Sequence, residues 1–241
     1  MTVSLALVTG GNKGIGYEIA KQLALAGTKV LLGARNSARG QAAANTLMNE
    51  GLDVSFLQID ICDGENIAAA AEHIENTYGR LDILVNNAGI ADARDGLPSS
   101  TSPDTVRHVL ETNFIGPLAV TQAMLPLLRK SSAGRIVNIS SSLGSLTLNN
   151  DKESPFYNVK LIGYNTSKAA LNMLTIQLNA ELKDTAITAV SVCPGLVNTD
   201  LSGHLGDRTP HEAAAFPVRL ALQTAPDNDA AFQNEAVVLP L

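Results

Sequence analysis

This chain is short of the residues that bind metals and staple secreted folds. Its 241 residues include two cysteines and four histidines. His73, His108, His204 and His211 are scattered without metal-ligand spacing, which speaks against a zinc or iron site. Cys62 and Cys193 fall at expected strand ends and read as reduced, buried thiols rather than a redox pair. Basic residues are few as well: 17 Lys and Arg stand against 23 Asp and Glu, a net charge of −6. A nucleic acid or an anionic membrane would ask for a basic face, so neither is an expected partner. No segment approaches the roughly 20 apolar residues that span a bilayer. The apolar opening, 3–8, is too short for a secretory signal and runs straight into glycines. A cytoplasmic protein is the expectation. Internal repeats, low-complexity tracts and a linker are also missing, so one α/β domain over 1–241 with a well-buried core is expected.

What is there is an alternation. Short apolar runs predict strands over 4–9, 29–34, 54–60, 82–86, 135–140 and 186–193. Helical patterns fall between them, over 15–26, 37–50, 63–78 and 164–183, with Ser37 as a cap and Gly27 and Gly51 as stops. A longer helical stretch, 103–128, contains Pro117 and Pro126, which predict a bend or break inside it. Thr209-Pro-His-Glu212 opens another helix, with a threonine cap, a proline in the first turn and a glutamate three residues on. Such alternation requires parallel strands joined by right-handed crossovers, with helices on both faces of one doubly wound, Rossmann-type parallel sheet. Ligands on such a sheet bind beyond the carboxyl ends of the strands.

The first strand ends in Thr9-Gly-Gly-Asn-Lys-Gly-Ile-Gly16. Gly10, Gly14 and Gly16 allow a tight turn and a close approach to a pyrophosphate at the helix start, and Asn12, Lys13 and Ile15 complete the cradle. An NAD site would carry an acid at the end of the second strand to hold the ribose hydroxyls. Here 32–36 has no carboxylate; Arg35 stands where a guanidinium could meet a 2′-phosphate, and Lys13 adds a second positive charge. NADP(H) is therefore the expected cofactor. Asp60, followed by Ile61, closes the third strand and either bonds an adenine amino group or serves as an acid at a helix start. The turn Asn86-Asn87-Ala88-Gly89 either lies beside the adenosine ribose or merely closes the fourth strand. The cofactor half is then about 1–135 and the catalytic and substrate half about 136–241.

Tyr164 and Lys168 form an i,i+4 pair on one helix face. Alone such a pair means little; downstream of a dinucleotide cradle it fits a proton donor with an ammonium beside it. A free tyrosine titrates near ~10, and a neighbouring cation favours its phenolate. Tyr164 can then protonate a carbonyl oxygen as hydride reaches the carbon. A serine of the run Ser140-Ser141-Ser142 can donate to the same oxygen. Pro194, Gly195, Val197 and Thr199 follow the sixth strand, where they can line a nicotinamide. The segment 201–207 has the composition of a mobile lid.

Taken together, Thr9-Gly-x-x-x-Gly-x-Gly16, Asn86-Asn-Ala-Gly89, Asn113, Ser141, Tyr164-x-x-x-Lys168 and Pro194-Gly195 carry a resemblance. The chain resembles the short-chain dehydrogenase/reductase family over nearly its whole length. Within it the chain looks most like the carbonyl reductases of animals and related plant and bacterial reductases. The resemblance implies a catalytic tetrad of Asn113, Ser141, Tyr164 and Lys168, with Ser141 singled out from its run by the family's Ser-x-x-Gly pattern, which ends here at Gly144. It also implies that Asn113 opens its helix locally and holds a water, that Lys168 holds the nicotinamide ribose with Tyr164 also against the cofactor, and that 103–128 and 164–183 offer faces for a homo-oligomer. Two departures stand out. Tyr164 follows Ser141 by 23 positions, more than in compact members and less than in the animal carbonyl reductases, and the tail 232–241 matches the family's terminal strand poorly. The expected activity is NADPH-dependent reduction of a small or medium ketone or aldehyde, reversible as alcohol oxidation. A carrier-bound 3-ketoacyl substrate would want a basic docking face, and 169–182 has no basic residue. A hydroxysteroid or terpenoid carbonyl, or a non-catalytic NADP(H)-binding redox sensor, are the alternatives.

Overall fold

The computed structural model describes residues 3–223 and 231–241. They form a seven-stranded sheet from β1 Leu5–Thr9, β2 Lys29–Ala34, β3 Val54–Gln58, β4 Ile83–Asn86, β5 Arg135–Ile139, β6 Thr188–Val192 and β7 Phe232–Gln233. The spatial order is β3-β2-β1-β4-β5-β6-β7, and each pairing is parallel. Strand order reverses between β1 and β4, which opens a crevice at their carboxyl ends. The two-residue β7 is a strand that the sequence pattern did not give, being too short for alternation to show.

The helices are α1 Gly14–Leu25, α2 Ser37–Asn49, α3 Gly64–Tyr78, α4 Pro103–Leu110, α5 Gly116–Leu128, α6 Leu146–Asn150, α7 Ile162–Glu181 and α8 Pro210–Leu222. Alternation within β1 sorts them onto two faces. Leu5 and Leu7 join a core with Ile74 of α3, Met124 of α5 and Leu171 of α7. Ala6 and Val8 join a second core with Ile19 of α1, Leu47 of α2 and Phe216 of α8. A leucine as enclosed as Leu7 is worth about 2–5 kcal/mol against alanine, so β1 holds the turn that follows it firmly.

Local details depart from the pattern in instructive ways. Asn36, not Ser37, caps α2, its Oδ1 accepting from the Arg39 amide at 2.9 Å. The cap of α8 is as expected, with Thr209 and Glu212 bonded reciprocally and Pro210 in the first turn. The 103–128 stretch is interrupted just ahead of Pro117, in keeping with the expected break. A π turn over Glu111–Ile115 joins α4 to α5, and the Gly116 amide reaches back to the Glu111 carbonyl. Pro117 explains it: proline has no N–H to give, and its ring would collide with the carbonyl four residues back, which is that of Asn113. Widening the turn by one residue relieves both problems. Pro126 sits within α5. The segment between Gly144 and α7 begins with the short α6.

Candidate active site

The glycine turn after β1 and the 86–89 turn after β4 are bonded together. Gly10 adopts a φ of +64°, and a Cβ on it would lie 2.9 Å from the Ala88 Cα, so both backbone angle and closeness require glycine there. Asn87 donates from Nδ2 to the carbonyls of Thr9 at 2.9 Å and Gly10 at 3.2 Å. The Thr9 hydroxyl accepts from the amides of Asn87 and Ala88. Asn86 turns the other way, into the sheet, and donates to Thr121 and Asn138. Its role is therefore to brace β4, whereas Asn87, Ala88 and Gly89 border the crevice. The first turn of α1, Gly14, Ile15 and Gly16, has no side-chain cap, so its amides and the helix dipole are available to an anion.

At the end of β2, Arg35 is exposed and forms no ion pair among the described residues. Arg39, in the first turn of α2, is likewise exposed and unpaired among them. Arg39 was not among the expected cofactor contacts; its signal was a second arginine four positions on, in a helix whose first turn holds no acid. Lys13, by contrast, is taken by Asp200 at 2.5 Å, and Asp200 also meets His204 at 3.2 Å. The unpaired cations beside the second strand are thus Arg35 and Arg39, not Arg35 and Lys13. Asp60 accepts from the Cys62 amide in a tight turn, and Asp63 is the residue that caps α3. Ile61 is buried behind it. Cys62 is exposed, contrary to expectation, because it lies in this turn rather than in the strand; Cys193 is buried.

Three serines follow β5, and their surroundings separate them. Ser140 donates to Asn172 Oδ1 at 2.6 Å, and Ser142 lies 3.1 Å from the Cys193 thiol, both in the interior. Ser141 is half-buried, and its Oγ accepts from the Leu143 amide at 3.2 Å, which leaves its O–H to donate elsewhere. Lys168 points its Nζ at the Ile139 carbonyl, 2.8 Å away, and lies 5.5 Å from the centre of the Tyr164 ring. Asn113 bonds both the amide and the carbonyl of Ile90, at 2.8 and 2.9 Å, and donates to Ser167 Oγ at 3.1 Å. Gly89 faces Asn113 Oδ1 and Lys168 Nζ. Asn113, Ser141, Tyr164 and Lys168 therefore converge near the carboxyl ends of β4 and β5, next to the glycine cradle.

Burial governs the protonation of this cluster. It pushes the Tyr164 phenol up to about 12, with Cys193 acting in the same direction and a hydrogen bond with Ser141 opposing. Burial also pulls the Lys168 ammonium down to about 8. The Tyr-x-x-x-Lys spacing predicted a phenol lowered by the ammonium; with that ammonium turned to the Ile139 carbonyl, burial outweighs it. At neutral pH such a tyrosine carries its proton.

Beyond β6, Pro194 is buried and its carbonyl accepts from Arg208 Nη1 at 3.3 Å. Arg208 also bonds the Glu212 carbonyl and the Glu235 carboxylate, tying together this turn, α8 and the tail. Buried Val197 pairs with Arg208 in a short bridge, which closes 198–207 into a loop beyond Gly195. Thr199 in that loop approaches Gly14 of the cradle. On the other side, Phe114, Ala170, Met173 and Leu174 line an apolar groove of about 240 Å³ between the π turn and α7. Among the described residues no helix is long and apolar enough to cross a membrane.

Comparison with known proteins identifies the family. Residues 4–209 match the family model described as short chain dehydrogenase. The chain is 34% identical to the (+)-neomenthol dehydrogenase of Arabidopsis thaliana, over 92% of each chain. It is 36% identical to the NADPH carbonyl reductase 3 of Mus musculus, over 90% of each. Its fold superposes on the NADPH-bound carbonyl reductase from chicken fatty liver with a TM-score of 0.87 at 29% identity, over all of both chains. With a family model that matches most of the chain and relatives more than 30% identical over about nine-tenths of their length, this chain belongs to the short-chain dehydrogenase family.

Proposed function

We propose that this oxidoreductase uses NADPH to reduce the carbonyl of a small or medium ketone or aldehyde, with alcohol oxidation as the reverse. The observation that carries this reading is a half-buried tyrosine kept protonated and hydrogen-bonded with Ser141, at the mouth of a dinucleotide crevice. The residues present fit the cofactor: an uncapped helix start suits a pyrophosphate, and two unpaired guanidiniums with no acid among them suit a 2′-phosphate. Gly10, Asn12, Gly14, Ile15 and Gly16 would hold the diphosphate, Arg35 and Arg39 the 2′-phosphate, and 87–89 with 194–199 the two riboses and the nicotinamide. Bound there, NADPH supplies the hydride.

The chain's own residues supply the rest. Ser141 donates to the carbonyl oxygen and stabilises the charge that grows on it. Tyr164 gives its proton to the same oxygen. Lys168 keeps a positive charge near the phenolate that is left, and Asn113 fixes Ile90 and Ser167 around it. Exposed Leu146, Leu196, Leu201 and Leu205 lie on the segments that follow Ser141 and Gly195, which favours an apolar substrate such as a terpenoid ketone. The test is a panel of cyclic and open-chain carbonyl compounds followed by NADPH absorbance. Tyr164→Phe is expected to lose about 100–10,000-fold in turnover while still binding NADPH. Undiminished turnover in that variant would refute the mechanism, and no turnover in the wild type would favour an NADP(H)-binding regulator.

A further inference from the structure

We infer that Asp95 is a positioning residue for Tyr164, a helix cap supplied from a distant loop. The inference rests on the reading of Tyr164 as proton donor. The helix that carries Tyr164 begins without a cap of its own, since Leu161 at its start has no side-chain acceptor. Its first amides find partners elsewhere. Ile162 donates to the Gly96 carbonyl at 3.0 Å, Gly163 to Asp95 Oδ1 at 2.9 Å, and Tyr164 to Asp95 Oδ2 at 2.8 Å. Both oxygens of one carboxylate are thus spent on two successive amides of α7. A carboxylate at a helix start also complements its dipole. Gly163 permits the approach, because a Cβ there would lie 3.1 Å from Asp95 Oδ2.

The loop that presents Asp95 is itself held. Ile90 is clamped by Asn113 through both its amide and its carbonyl. Asp92 accepts from the amide, Nε and Nη2 of Arg94 and meets His108 of α4 at 3.0 Å. Segment 90–96 is therefore fixed at three points, on the π turn, on α4 and on α7. Tyr164 is correspondingly held at both ends of its main chain. Asp95 takes its N–H, and Ser167 Oγ, bonded by Asn113, donates to its carbonyl at 2.7 Å. Tyr164 lies in the first turn of α7, the part that frays when uncapped, whereas Lys168 lies a turn deeper. Proton transfer tolerates little displacement of the phenol, whereas the proposed diphosphate and 2′-phosphate contacts lie on other segments.

The full-length chain would be compared as wild type, Asp95→Ala and Asp95→Asn, by steady-state kinetics, NADPH fluorescence titration and amide exchange read by mass spectrometry. Asp95→Ala is expected to lower kcat about 10–100-fold while the NADPH dissociation constant stays within about twofold. Exchange over 161–166 is expected to speed up while 170–180 stays protected. Asp95→Asn, which keeps one acceptor oxygen, is expected to recover most of kcat. A kcat for Asp95→Ala within about twofold of wild type, a matching loss of NADPH affinity, or slow exchange over 161–166 would each overturn the inference. The exchange arm needs no turnover. A wild type inactive on every carbonyl would sink the proposed function, and exchange would still decide the cap.

Discussion

Replacing Lys168 with methionine is expected to stabilise the protein while removing its activity. Lys168 is 5% exposed and carries its charge into a site where burial lowers it from 10.5 to about 8. Below pH 8 the ammonium is present in both folded and unfolded chains, and its burial is a cost to the fold. At about 1.4 kcal/mol per pKa unit, that cost is about 3 kcal/mol at neutral pH. Methionine has a similar reach without the charge, but it leaves the Ile139 carbonyl without its donor, which costs about 1 kcal/mol. The net gain of about 2 kcal/mol corresponds to a melting temperature about 4–8 °C higher for a chain of this size. The pH dependence carries a sign. Between 8 and 10.5 the folded chain has shed the proton and the unfolded chain has not, so wild-type stability rises with pH relative to the variant. Thermal melts of both proteins without cofactor, from about pH 7 to about pH 10, would show a gap that is full at the low end and narrows toward the high end. A variant that melts no higher at neutral pH, or a gap that ignores pH, would refute the reasoning.

Other outcomes follow from the same geometry. Ala34→Asp combined with Arg35→Ala should move the preference from NADPH toward NADH, read as the ratio of kcat/KM for the two; a double variant that still prefers NADPH would place the discrimination elsewhere, with Arg39 the next residue to change. Carbonyl reduction should be nearly flat around neutral pH, because Tyr164 stays protonated up to about 12, and should decline as Lys168 loses its proton near 8. Alcohol oxidation, which needs the phenolate, should instead rise toward alkaline pH; pH–rate profiles in both directions check the pair, and an acid optimum for oxidation would contradict it.

Much of this was legible in the residues. The β1 alternation, the glycines that follow it and the Tyr164–Lys168 spacing are local patterns, and local patterns survive without coordinates. Thr209 and Glu212 announced their helix for the same reason. What escaped was set by partners far along the chain. Asp95 caps a helix 69 positions away, and Lys13 is taken by an aspartate 187 positions away. No window of sequence shows either. Asn36 and Ser37 are both good caps, and only backbone geometry decides between them. Ser141 could be picked from its neighbours by its distance from Gly144, but the partners that turn Ser140 and Ser142 inward, Asn172 and Cys193, lie far along the chain.

The π turn at Glu111–Ile115 has a consequence for how this protein can vary. One surplus residue in a helix rotates everything after it by roughly a quarter turn relative to what precedes it. Val120, Met124 and Leu127 are seated in the core only in that rotated frame, while Thr105 and Val109 are seated in the frame before it. Restoring an ordinary helix would swing Met124 out of place unless a residue were also deleted between the two stretches. The number of residues from Val109 to Val120 therefore records the opening at Asn113, and a length change there would be the mark of a lineage that had given it up.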